Sequence, residues 1–314
     1  MFFVTCDHAF GIRHHGAPLE PSYLKLGSAG ASAMASASQF DTGNAGPVVR
    51  VAGLLLSRAT MFWLAVATFG QWLFFYYIAL FYGPSTLTGN FQVWTKNHGL
   101  LKGYAPGDLA GNLAFGAHAL LVSYVTLGGA LQLVPRLRAM APRFHRWNGR
   151  VFIVTAIGVS LTGLYMVWVR GATTNMTGAI AISGNGLLIV LLAALAWSAA
   201  LKREFVSHRR WALRTYLVAN GQWFFRVMIF GWIVLTRSEA GLGKNFDGPV
   251  VVACAFGCYL LPLAVLEFYL RAKEDGSGPA RIAMAIVLTT FALLMAVGVF
   301  GAYTFLWHPV LKRL

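Results

Sequence analysis

Apolar residues run along this chain in long blocks separated by short polar and basic stretches. Seven windows, at 59–83, 112–134, 151–169, 179–200, 212–235, 249–270 and 282–307, are apolar almost throughout. A bilayer core about 30 Å thick takes about 20 residues of α-helix. Each window therefore reads as a transmembrane helix, and only one holds a basic residue well inside it, Arg226. Trp63, Tyr82, Tyr104, Trp147, Trp168, Trp211 and Trp307 fall near window ends, where amphipathic rings sit at headgroup depth. The pattern predicts an all-α, multi-pass transmembrane helix bundle of about seven spans. Its central four-helix core covers 112–236, preceded by one span with a long outer loop (59–111) and followed by two further spans (237–314). Within the long loop, Phe91, Val93, Trp94, Leu100, Leu101 and Tyr104 suit an interfacial helix or lid, and equally a plain loop. Residues 1–58 read as a flexible cytoplasmic arm, because 27–46 is rich in Gly, Ala and Ser without a long apolar run. That arm also lacks the continuous apolar core of a signal peptide, and Met34 offers a second start.

Composition agrees with the windows. Of 314 residues, 57% are hydrophobic and only 11% charged, against roughly 25% charged in a soluble domain. A mean hydropathy of +0.63 argues against a soluble enzyme, a disordered chain or a disulfide scaffold. The three cysteines give no disulfide framework; Cys254 and Cys258 share one helix face as small packing residues. The formal charge of +15 is best explained by basic loops. Seventeen of the 25 Lys and Arg fall in the arm and in the second-to-third, fourth-to-fifth and sixth-to-seventh connections. Seven fall on the other side. This bias places the N-terminus in the cytoplasm and the C-terminus outside. The partners it implies are the bilayer itself and anionic lipid at the cytoplasmic loops, with no nucleic acid.

A polar group in hydrocarbon needs a protein partner or a cavity, so intramembrane polar residues are candidates for function. At about 1.5 Å per residue, His118 and Asn185 each lie about 9 Å below the outer end of their spans. Arg226 on the fifth span ends at a similar depth, and Gln222 lies one turn deeper on the same face. His118, Asn185, Gln222 and Arg226 thus form a candidate ligand site in the outer half of the membrane. Each also has a plain reading. Arg226 snorkels to the headgroups, His118 bonds a backbone carbonyl, and Asn185 bridges two helices. No Asp or Glu lies at this level in any window, so a buried guanidinium would look to water, a carbonyl or a ligand oxygen.

The inner face carries two similar phrases. His145-Arg146-Trp147-Asn148-Gly149-Arg150 opens the third span and His208-Arg209-Arg210-Trp211-Ala212-Leu213-Arg214 the fifth. They hint at a duplicated hairpin. As topology signals they anchor the helices to anionic lipid. As chemistry, His145, Arg146, Arg150, His208, Arg209 and Arg214 form a possible haem or anion site, with imidazoles for iron and arginines for propionates.

These motifs, with His118, Gly163-Leu164 and Arg226, resemble the bacterial membrane proteins of domain-of-unknown-function family 2306. The resemblance covers about 112–235. It implies a multi-pass bacterial inner-membrane protein and assigns no catalytic roles. A looser likeness to four-helix membrane cytochromes would pair His145 with His208, while His118 has no histidine partner within a span.

No nucleotide-binding Gly-Lys-Ser/Thr loop, His-Glu-x-x-His zinc motif or Gly-x-Ser-x-Gly elbow occurs, and no metal site is expected. Paired intramembrane carboxylates are also absent. The function that fits best is a membrane redox component binding haem b or a quinone-like ligand between helices. The alternatives are a transporter or binding protein for a small anion, and an accessory subunit of a membrane complex.

Overall fold

The computed structural model describes residues 46–96, 103–173, 175–274 and 276–312. Residues 51–314 form one compact unit. Among the described residues there is no strand, and six helices are long and apolar enough to cross a membrane. In chain order the helices are α1 (Pro47–Thr88), α2 (Leu109–Gln132), α3 (Pro135–Met140), α4 (Pro142–Trp168), α5 (Met176–Leu201), α6 (Phe205–Ala219), α7 (Gly221–Thr236), α8 (Pro249–Glu274), α9 (Gly278–Ala302) and α10 (His308–Leu311).

The fifth apolar window is not one helix. It is α6 and α7, bent by 51° at Asn220. Asn-Gly is a turn signal, and the apolar count of the window hides it. The bent pair still crosses the bundle. At one end Arg210 of α6 pairs with Glu274 at the close of α8, and Arg214 pairs with Glu267 of α8. At the other end the Asn175 amide, which caps α5, donates to the Phe246 carbonyl in the α7–α8 connection at 3.4 Å. The two halves together therefore make a seventh crossing.

α1 starts at Pro47, inside the stretch read from sequence as arm, and runs 42 residues. That is about 63 Å of helix, roughly twice the bilayer core. Its first turns pack Leu56 and Ala59 against Ala272 of α8 and Met284, Ala285 and Leu288 of α9. The arm before residue 46 lies outside the described residues. Past α1, the outer loop holds a short 3₁₀ helix (Phe91–Lys96). It sinks Phe91 and Trp94 into the core, with the Trp94 indole donating to Ser85 Oγ at 2.7 Å. Leu100 and Leu101 of the same loop lie outside the described residues.

Neighbouring helices hold each other by polar clasps where backbones come close. Asn148 of α4 donates to the Gly128 carbonyl of α2 at 2.9 Å and accepts from the Tyr124 hydroxyl at 2.8 Å. On the far side of the bundle, Gly298 of α9 is so near the Val227 carbonyl of α7 that a Cβ there would collide with it. Asp108 caps α2 through the Gly111 N–H, and Arg170 closes on it at 3.1 Å while donating to Asn112 Oδ1. The connection before α2 is thereby tied to the end of α4.

Candidate functional site

Arg226 lies on α7, one and a half turns past the break. Its guanidinium donates to the Gln222 carbonyl at 2.6 Å and lies over the Phe74 ring of α1 at 5.4 Å. It is within electrostatic reach of His118, of Tyr77 and Tyr82 on α1, and of Cys258 on α8. Among the described residues it has no carboxylate partner; the three ion pairs join Arg170 to Asp108, Arg210 to Glu274 and Arg214 to Glu267. A guanidinium has five N–H donors, so most of those on Arg226 are left for something other than protein acid groups.

What it faces is a cavity of about 110 Å³. Arg226, Gln222 and Phe225 of α7 line one side, and Asn175, Thr177, Gly178 and Ile182 at the start of α5 line another. Ala172, Thr173, Phe246 and the α8 residues Val251, Val252 and Ala255 complete it. The wall is therefore mostly apolar, with one cation and a few amide and hydroxyl groups. The N-terminal turn of α5 adds the positive end of a helix dipole to the same space.

His118 belongs next to this cavity rather than in its wall. Its Nδ1 is 2.9 Å from Thr162 Oγ1 of α4. The Thr162 hydroxyl spends its one proton on α4 carbonyls, Gly158 at 2.8 Å and Val159 at 3.1 Å. His118 is thus held to α4 twice, at Thr162 Oγ1 and by a hydrogen bond with the Val159 backbone. The ring packs over Gly163, where a Cβ would be in ordinary contact at 3.5 Å from His118 Cε1.

Asn185 goes elsewhere. It is buried against the break, with its amide nitrogen 2.9 Å from where a Cβ on Gly221 would be. The four residues read as one site thus divide into Arg226 and Gln222 on the cavity wall, His118 in reach of Arg226, and Asn185 at the break. Tyr77, Tyr82, Phe74 and Cys258 around Arg226 gave no sequence signal, because aromatic and small residues in a span look the same whether they face lipid or a guanidinium.

At the arginine-rich end the two repeated phrases fold alike. Arg150 lies over Trp147 at 5.2 Å and Arg214 over Trp211 at 4.7 Å, the same three-residue step on each helix. His208 Nδ1 is 2.9 Å from the Ala196 carbonyl, so it donates and its Nε2 carries the lone pair. His145 is within electrostatic reach of His208, Arg138 and Arg146. Arg214 is already engaged by both oxygens of Glu267, at 2.7 and 2.9 Å. Arg209 and Arg146 stay exposed. Among the described residues no three His, Cys, Asp or Glu side chains gather as a metal site.

Residues 115–270 match the family described as "Predicted membrane protein (DUF2306)". The match reaches Leu270, so it takes in the sixth span, which the motifs alone left outside. No curated protein and no solved structure matches the chain.

Proposed function

For a chain whose residues 115–270 match the DUF2306 membrane proteins, we propose a role as a membrane redox component that binds a quinone-like ligand against Arg226. The carrying observation is a guanidinium with no acid partner facing a mostly apolar cavity between helices. A half-buried cation within a membrane span calls for oxygen acceptors. Quinone carbonyls or a carboxylate supply them, and an apolar body suits the Phe225, Phe246 and Val251 walls. A cavity of about 110 Å³ suits a ligand's head and leaves its tail to the lipid. His118, in electrostatic reach of Arg226, adds a titratable group beside the site.

Two observations favour a second group at the arginine-rich end. His208 presents a free Nε2, and His145 lies near it among arginines that would suit propionates. A haem held there would complete an electron path to the quinone site. The proposed orientation puts this end in the cytoplasm of a bacterial inner membrane and the Arg226 cavity toward the outside.

Purification in a mild detergent tests both. The solvent extract of the wild-type protein should contain a quinone in near-stoichiometric amount, and haem would show as a Soret band. Arg226→Leu should elute unchanged on size exclusion, since the unpaired buried charge is gone, and should lose the quinone. A carboxylate lipid in the extract would move the reading to binding or transport of an amphipathic anion. Equal quinone content in the Leu variant would remove Arg226 from the site.

A further inference from the structure

The break in the fifth span is itself a polar place. Asn220 lies nine residues beyond Trp211, about 14 Å along the helix and near the middle of a core about 30 Å thick. A break at that depth leaves N–H and C=O groups without intrahelical partners, and lipid offers none. Four side chains close on it, and all are more than nine-tenths buried: Gln71 at 0%, Trp223 at 1%, Asn220 at 2% and Asn185 at 5% exposed.

Each of the four keeps one polar atom without a protein partner. These are Gln71 Nε2, Asn185 Oδ1, Asn220 Oδ1 and Trp223 Nε1. Contacts bring them to the same joint. The Gln71 Oε1 accepts from the Tyr216 hydroxyl at 2.8 Å, and the Asn220 amide donates to the Tyr216 carbonyl at 2.8 Å. Gly70 abuts the Trp223 indole, whose Cζ2 is 2.8 Å from where a Cβ would be, and Asn185 rests on Gly221. The orientations are constrained. Turning the Asn220 amide over would set its oxygen against the Tyr216 carbonyl, and an indole N–H only donates.

We propose that the joint at Asn220–Gly221 is an internal water site that bridges α1, α5 and the two halves of the fifth span. The unpaired set mixes donors with acceptors. A cation would face the Trp223 N–H, and an anion would face Asn220 Oδ1. Water donates and accepts, and it is the smallest molecule that does both. Gln222, which follows the joint directly, also lines the Arg226 cavity, so the two polar places are neighbours along α7. The site does not depend on what Arg226 binds.

X-ray hydroxyl-radical footprinting of the full chain in nanodiscs tests this, because radicals form where water is held. Trp223 should be oxidised at least five-fold faster than Trp94, which is buried at 4% and whose indole N–H is already satisfied by Ser85 Oγ. Gln71→Met, which removes one of the unpaired donors, should slow Trp223 oxidation three-fold or more. Equal rates at Trp223 and Trp94 in the wild-type protein overturn the proposal without any variant. A Trp223 rate unmoved by Gln71→Met overturns it as well.

Discussion

Single polar side chains do most of the sorting in this bundle, because lipid competes with none of them. Asn148 shows how. It is buried at 8% exposure, and it satisfies the Gly128 carbonyl and the Tyr124 hydroxyl of α2 together. Hydrogen bonds between membrane helices average about 0.6 kcal/mol and reach about 1.7 kcal/mol. Tyr124→Phe removes one of them cleanly and should cost about 0.6 kcal/mol. Asn148→Ala strands two partners and should cost about 1–2 kcal/mol. Reversible unfolding in mixed micelles reads both. Equal losses in the two variants would mean that Asn148 does no more than accept from Tyr124. The same logic explains why His118 and Arg226 were legible from sequence. An ionisable group in a span stands out by its cost. Its aromatic surroundings did not stand out, since Phe74, Tyr77 and Tyr82 belong to an apolar window on any count. Asn185 was legible as polar, but its partner was not, because the contact depends on where Gly221 falls after a bend.

Elements differ from their windows where backbone geometry intervenes. Counting apolar residues finds the spans, and α2, α4, α5, α8 and α9 all lie over predicted windows. It cannot see that α1 extends back to Pro47 or that the fifth span breaks at Asn220, because neither costs apolar surface. Close helix approach is equally silent. Among the described glycines of the spans, Gly298 and Gly301 of α9 are the two whose Cβ would fall within 3.0 Å of a backbone carbonyl, of Val227 and Phe230, which cannot move aside as a side chain can; Gly298 is the tighter, at 2.2 Å. Gly158, in the middle of α4, has nothing within 4 Å of the same position. Gly298→Ala should therefore cost about 1–3 kcal/mol as overpacking, and Gly158→Ala should be neutral or stabilising. Melting in detergent checks the pair. Similar midpoints for both variants would show that α7 and α9 slide apart at little cost.

At the scale of the whole molecule, the bent α6–α7 pair decides which face every later segment reaches. If the pair crosses, the α7–α8 connection lies opposite the α8–α9 connection. If it turned back as a re-entrant loop, α8 and α9 would invert, and Arg271, Lys273 and Arg281 would leave the arginine-rich side. The ion pairs choose between these. Arg214–Glu267 and Arg210–Glu274 fasten the start of α6 to the end of α8, which is possible only when α6 and α7 together traverse the bundle. The contact of Asn175 with Phe246 fixes the other end in the same sense. Charge bias predicts the orientation of the whole, with the arginine-rich ends on the cytoplasmic side. Ser277 and Ser238 are both exposed and sit at opposite ends. In a background with Cys6 replaced, Ser238→Cys should react with an impermeant maleimide in intact cells, and Ser277→Cys only after the membrane is opened. The native Cys254 and Cys258 are buried and should stay silent. Labelling of both new cysteines from one side would mean a re-entrant pair, and the interhelical ion pairs would then have to be absent in the membrane. Labelling with the sides exchanged would keep the fold and reverse the orientation, and it would turn the Arg226 cavity toward the cytoplasm.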